Sequence, residues 1–333
     1  MIKKLGLVVI GRNEGDLLRQ CLASAISEVA QIVYVDSGST DASVKLARSL
    51  GVDVVELDLS QPFTAGRGRN VGYFYLVQTY PQLELVQFVD GDCQITPGWL
   101  ATARDTLIDQ QDLAIVCGRR RERFPQRSIY NRLCDLEWDT PVGETKACGG
   151  DFMVRVTAFN QIQGFDPNLI AGEEPEMCIR LRQQGWKIQR LDAEMTRHDA
   201  RMMSWNQWWQ RALRGGYAYA EGSWLYGKTS ERHWVKEARS IWFWGAVIPL
   251  SSLILLLPSN GWSLGLILLY AIAIYRTFSS LQQRGLTQQD ALPYAIHCVL
   301  SKFPQTQGQI KFHWSRLTKK PQRIIEYRKL SGI

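Results

Sequence analysis

The sequence predicts an α/β fold, a mostly parallel sheet flanked by helices, with a further helical region at its C-terminal end. Three features predict it. Short apolar runs alternate with helically spaced apolar residues from Leu5 to Val89. The loops that follow those runs carry Asn13, Asp36, Asp90 and Asp92, so polar side chains gather at one edge of the sheet. Between Ser240 and Tyr275 no charged residue occurs.

Taken in order, Leu5–Ile10 reads as a buried strand and Gly11-Arg12-Asn13-Glu14 as the turn leaving it. Leu17, Leu18, Cys21, Leu22, Ala25 and Ile26 then recur at helical spacing. Ile32–Val35 is a second strand, ended by Asp36-Ser37-Gly38-Ser39-Thr40-Asp41. A helix through Val44, Leu46 and Ala47 precedes a third strand at Val52–Leu57. A helix with Arg67, Arg69 and Asn70 near its start leads to Leu85-Val86-Gln87-Phe88-Val89-Asp90-Gly91-Asp92. That run stops at two carboxylates separated by a glycine, which lets the chain turn at little steric cost. Two carboxylates so close repel unless a cation sits between them. A hard divalent ion shared with substrate phosphates is one solution, and a solvated turn is the plainer one.

Further strands are predicted at Leu113–Cys117, around Phe152–Val154 and at Lys187–Leu191. The run Arg119-Arg120-Arg121-Glu122-Arg123 reads as a solvated charged loop, and the chain from there to about Thr145 as irregular. Cys148-Gly149-Gly150-Asp151 suggests a glycine-permitted close approach. Gly172-Glu173-Glu174-Pro175-Glu176 opens a helix, where acidic residues favour the positive N-terminal end. Three carboxylates exceed what a cap needs, so one of them is a candidate general base. His198 is a candidate metal ligand.

At 333 residues the chain has room for one large domain and something smaller. Its net charge of +7 and pI near 9.0 call for an anionic partner. Seven cysteines, an odd number with no Cys-x-x-Cys pair, indicate neither a disulfide framework nor a zinc site. Leu5–Ile10 is too short for a signal-peptide core.

Trp205, Trp208 and Trp209 with Arg211 and Arg214 begin an aromatic, basic helix. Pro258-Ser259-Asn260-Gly261 divides the uncharged stretch into Ile241–Leu257 and Trp262–Tyr275. At ~1.5 Å per residue these reach roughly 21–26 Å, short of a ~30 Å hydrocarbon core, as in a hairpin that is re-entrant or spans a thin bilayer. Lys236, Arg239 and Arg276 flank it, which puts both ends on the cytoplasmic side. Leu292–Leu300 reads as an interfacial helix. The tail with Lys311, Arg316, Lys319, Lys320 and Arg323, and with Phe312, Trp314 and Tyr327, suits anionic lipid better than nucleic acid.

These residues together resemble the inverting glycosyltransferases of family 2, with their Rossmann-like GT-A fold. The resemblance covers roughly residues 5–225. Val35–Asp41 is similar to the family's second-strand signature, Asp90-Gly91-Asp92 to its Asp-x-Asp motif, and Gly172-Glu173-Glu174 to its Glu-Asp motif, followed by Arg180. Arg69-Asn70 is similar to an Arg-Asn pair near the sugar nucleotide. The departure is Glu174 where the family has Asp, which leaves Glu174 or Glu173 as the base, with Glu174 favoured here.

The resemblance implies a nucleoside diphosphate sugar donor held by Asn13, Glu14, Asp36, Arg67, Arg69, Asn70 and Asp90. It implies Mg2+ or Mn2+ at Asp92 and His198, and a lipid-linked or glycan acceptor in surface polysaccharide or glycolipid synthesis. The expected layout is a GT-A domain over 1–225, with a donor half to about 118 and a catalytic half beyond. A membrane hairpin over 226–285 and a basic interfacial tail over 286–333 follow. The enzyme is expected at the inner or cytoplasmic membrane, with its catalytic domain facing the cytoplasm. Two alternatives are a sugar nucleotidyltransferase, whose glycine-rich phosphate loop is not evident at Ile10–Glu14, and a silent membrane-anchored scaffold.

Overall fold

The computed structural model describes residues 4–61 and 63–319; Lys320, Arg323 and Tyr327 lie outside them. Two compact units emerge, one of residues 4–125 and 134–201, the other of residues 126–133 and 202–319. The division near Arg201 falls earlier than the boundary expected at 225.

The first unit is built on one nine-stranded sheet. Its strands are β1 (Leu5–Gly11), β2 (Gln31–Asp36), β3 (Asp53–Glu56), β4 (Leu85–Asp90), β5 (Cys93–Ile95), β6 (Leu113–Glu122), β7 (Gly143–Glu144), β8 (Phe152–Arg155) and β9 (Lys187–His198). They lie in the order β3-β2-β1-β4-β8-β6-β9-β5, with β7 also on β9. The first four are parallel, as the βαβ cadence requires. The second half of the sheet is mixed: β8 runs antiparallel to β4 and β6, and β5 and β7 run antiparallel to β9. Strands β6 and β9 run parallel, so the expected α/β sheet with flanking helices is present, with antiparallel strands entering in its second half.

Leu5 through Ile10 are all buried, which explains their unbroken apolar run. The helix Ala65–Thr79 lies close on the sheet because Gly72 permits it; a Cβ there would stand 2.6 Å from Val8 Cγ1 and 2.8 Å from Val35 Cγ2. Tyr73 of that helix joins Phe88, Phe152, Phe159 and Phe165 in an aromatic cluster. Register places Gly11 beside Asp36 and Ile10 beside Asp90, so the three loops do share one edge.

Three local expectations change. Arg119 to Glu122 belong to β6, not to a solvated loop. Strand alternation divides the run: Arg119 and Arg121 reach Asp135, while Arg120 reaches Asp90 and Asp151 on the other face. The stretch read as irregular contains the helix Ile129–Glu137. His198 is the last residue of β9 rather than a loop residue beyond it.

In the second unit, the helix Trp205–Tyr226 starts on a capping box in which Ser204 and Gln207 serve each other's backbone. It packs along the helix Lys302–Thr318. Gly216 and Gly308 face each other's backbones there, and any Cβ would collide with the Gln305 or Leu213 carbonyl. Gly245, in a π-helical turn at Phe243–Val247, meets Lys302 in the same way. Small residues at helix contacts are how helices approach closely without a polar core. Arg132 makes a two-pronged pair with Asp290 at 2.7 and 2.6 Å. Among the described residues one helix, Trp262–Gln283, is long and apolar enough to cross a membrane, and its apolar stretch is not buried. The segment before it is broken into Val235–Trp242, the π-helical turn and Ile248–Ile254. Leu257 and Trp262, on either side of the Pro258–Gly261 turn, are each 86% exposed.

Candidate active site

Asp90 and Asp92 lie two residues apart and meet different neighbours. Asp90 ends β4 and accepts from Arg69 Nη2 at 2.8 Å and Arg120 Nη2 at 3.3 Å. Burial pushes its pKa up, but the two guanidinium groups outweigh that and hold it below the usual carboxylate value. The cation expected between the aspartates is therefore supplied to Asp90 by the protein itself. Arg69 is 4% exposed and also donates to Glu173 Oε1 at 3.1 Å. Arg120 is braced by Asp151, at 2.8 Å, and Asp151 accepts as well from the Asp90 backbone N–H and from Thr196 Oγ1.

This network needs Gly150. A Cβ at that position would lie 2.8 Å from Arg69 Nη2 and 3.2 Å from both Arg120 Nη2 and Asp90 Oδ2. Gly91 is also a matter of space: its φ is not positive, and a Cβ would stand 3.1 Å from the Ile10 carbonyl oxygen.

Asp92 turns the other way, towards β9. Pairing of β5 with β9 sets Cys93 opposite His198, which brings His198 Nε2 to 3.2 Å from Asp92 Oδ2. Both side chains are buried, and the His198 ring leans on Trp138 with centroids 5.1 Å apart. Trp138 also faces the Arg120 guanidinium at 5.7 Å. A buried carboxylate beside an imidazole is a donor set that fits Mn2+ or Mg2+, with diphosphate oxygens and water left to complete the shell.

The three carboxylates at the start of the helix Glu173–Gln183 have separate partners. Glu173 takes Arg69, and Glu176 takes Arg180 through two 2.7 Å bonds. Among the described residues no cation pairs with Glu174. Its Oε1 accepts from the Cys148 N–H at 2.5 Å and from Cys178 Sγ at 3.0 Å. Burial raises its pKa, and these hydrogen bonds only partly offset the rise.

The remaining candidates shape loops. Asp36 accepts from Tyr34 Oη, Ser39 Oγ and the N–H groups of Gly38 and Ser39. Asn13, at φ 57°, accepts from the Thr40 N–H at 2.7 Å and tightens the same loop. The Glu14 side chain lies against Gly11 and Gly91. Asn70 pairs both ends of its amide with the Phe165 backbone. Arg67 donates to the Asp58 and Gln61 carbonyls and does not join the Asp90 network. Sequence reading passed over Arg120, Asp151, Thr196 and Trp138. The alternation at Arg119–Arg121 and the glycine-permitted approach at Cys148–Asp151 are the local signals; Thr196 gives none.

A cavity of about 850 Å³ opens at Lys4, Leu85, Arg155 and Trp186, where β1 and β4 begin, so it lies at the edge opposite this chemistry. Its charges are already spent: Lys4 pairs with Glu84, and Arg155 binds the Leu113 and Gln110 carbonyls.

Residues 7–158 match the family Glycosyl transferase family 2, and residues 134–204 match the N-terminal domain of galactosyltransferase. A mannosyltransferase from Pyrobaculum calidifontis, PcManGT, solved in complex with GDP-Man and Mn2+, has a similar fold. Its TM-score is 0.59 at 16% identity, over 94% of this chain and 88% of that one. The 1–349 portion of S. aureus TarS aligns over 91% of this chain and 92% of its own, at 15% identity and a TM-score of 0.47. A TPR repeat-containing protein of Synechococcus elongatus is 31% identical over 68 residues, 20% of this chain; the chain spans 17% of that relative's length.

Proposed function

We propose that this chain, whose residues 7–158 match Glycosyl transferase family 2, is a glycosyltransferase of that family that carries out an inverting transfer at a membrane. The donor is a nucleoside diphosphate sugar, and the acceptor is a hydroxyl of a lipid-linked or glycan molecule. The observation that carries the reading is the meeting of Asp92 and His198, 3.2 Å apart, at the edge where β1, β2 and β4 end. The GDP-Man and Mn2+ of the PcManGT complex support the donor class and a divalent ion.

Asp92 and His198 hold Mg2+ or Mn2+, which when bound offsets the charge that the departing diphosphate gains. Asp90, kept ionised by Arg69 and Arg120, hydrogen-bonds the ribose side of the donor. Asp36 and Asn13 fix the 36–41 loop as the wall of the nucleoside site. Glu174 takes the proton of the acceptor hydroxyl as that oxygen attacks the anomeric carbon. Its anchoring on the Cys148 N–H keeps the carboxylate oriented, and its raised pKa strengthens it as a base near neutral pH. One displacement, from the face opposite the leaving group, inverts the configuration.

The uncovered apolar helix Trp262–Gln283 and the exposed Leu257 and Trp262 support membrane attachment. With Lys236, Arg239 and Arg276 flanking the apolar segments, both ends face the cytoplasm. The test is release of nucleoside diphosphate from a panel of UDP-, GDP- and dTDP-sugars by detergent-purified protein, with Mn2+ or with chelator. Metal-dependent release from one donor is expected. No release from any donor, with or without lipid extract as acceptor, would return the chain to the scaffold reading.

A further inference from the structure

Three of the seven cysteines gather around the proposed base, although none is near another in sequence. Cys178 follows Glu174 by one helical turn, so both side chains lie on one face of the helix. Cys148 arrives from the loop before β8, directed by Gly149 at φ 79°. Cys148 Sγ and Cys178 Sγ are 3.7 Å apart, and Cys178 Sγ is 3.0 Å from Glu174 Oε1. All three side chains are buried, and their ligand atoms lie within 4.8 Å of one another. Cys117, buried on β6, is close enough to interact electrostatically with Glu174, Cys148 and Cys178.

We propose that Cys148, Cys178 and Glu174 form a site for a thiophilic divalent cation such as Zn2+, and that its occupation silences the transferase. Tetrahedral zinc with metal–sulfur bonds of about 2.3 Å places two sulfurs about 3.8 Å apart, close to the separation present here. The ion takes the place of the thiol protons: two leave to solvent, one of them the proton that Cys178 shares with Glu174. The carboxylate becomes a ligand and is withdrawn from the acceptor. A soft thiol pair with one carboxylate selects against Mg2+ and Mn2+. Cys93 Sγ lies within 4.8 Å of the Asp92 and His198 ligand atoms, so it is the Cys93→Ser and Cys178→Ser variants that tell the two sites apart. Binding stands on the geometry alone; silencing also rests on Glu174 being the base.

The test uses full-length protein in detergent with Co2+ as the probe ion. A thiolate-to-cobalt charge-transfer band is expected, with about two protons released per ion. The band should persist in Cys93→Ser and Asp92→Asn, and disappear in Cys178→Ser and in Cys148→Ala. Retained Mn2+ binding in the latter two variants shows that they are folded. Zn2+ should inhibit Mn2+-supported turnover, with at least tenfold more required in Cys178→Ser. No band, or a band that survives Cys178→Ser, overturns the site. A band without inhibition keeps the site and removes Glu174 from the role of base.

Discussion

Asp90, partly exposed, and Glu174, buried, are carboxylates of the same unit, and their surroundings tune them in opposite directions. Asp90 sits between Arg69 and Arg120, and its proton is held off. Glu174 sits among thiols and a backbone N–H with no cation paired to it among the described residues, and burial makes its proton harder to lose. Carboxylates pushed apart in this way divide the work of a site: the ionised one holds structure or ligand, the elevated one moves protons. Glu173 sharpens the lesson. It neighbours Glu174 in sequence, but Arg69 claims it, so one peptide bond separates a charge partner from a candidate base.

The strongest way to break this division is at the third carboxylate. Asp92→Asn should lower Mn2+-supported turnover by roughly 10²–10³-fold, the loss of several kcal/mol of transition-state charge stabilisation. A kinetic titration with Mn2+ checks it, and Asp92→Asn turning over like wild type would remove Asp92 from the metal site. Next is Asp151→Asn, which leaves the partly buried Arg120 with Asp90 as its remaining carboxylate partner. We expect about 1–3 kcal/mol lost in denaturant unfolding, the usual cost of removing a partner from a charged hydrogen-bonding group.

Gly150→Ala is the subtler probe of the same network. The added methyl meets Arg69, Arg120 and Asp90, and overpacking of this kind costs about 1–3 kcal/mol. Much of that should appear as a raised KM for the donor with kcat little changed. The smallest effect concerns pH. Because the folded-state pKa of Glu174 lies above its unfolded value, the group favours the fold below the unfolded value of ~4.3, and that contribution is lost as pH rises through the folded pKa. Unfolding measured in chelator at a series of pH values should show wild type losing stability relative to Glu174→Gln as pH rises.

Strands β1, β2 and β4 were legible because they are almost wholly buried and so are written as mostly apolar runs, while β3, at the sheet's edge and only half-buried, was legible from the helix–strand cadence. Loops after such strands share an edge by topology, which is why Asp36, Asp90 and Asp92 were found together. The rest of the site depends on pairings across long separations. Asp151 reaches Asp90 over 61 residues and Thr196 over 45; the first contact requires β8 to lie beside β4, the second the order β8-β6-β9. His198 was legible as chemistry but not as geometry, because only the β5–β9 register sets it against Asp92. Cys148 and Cys178 looked unremarkable for the same reason: a loop and a helix 30 residues apart bring them together.

The division between the two carboxylates is tested most directly by Glu174→Gln, with donor binding and turnover measured on one preparation. Calorimetry should give a donor affinity within about threefold of wild type, while kcat falls by ~10²–10⁴-fold, the usual worth of a general base. Turnover near the wild-type rate with intact donor binding would contradict the account and pass the base assignment to Glu173.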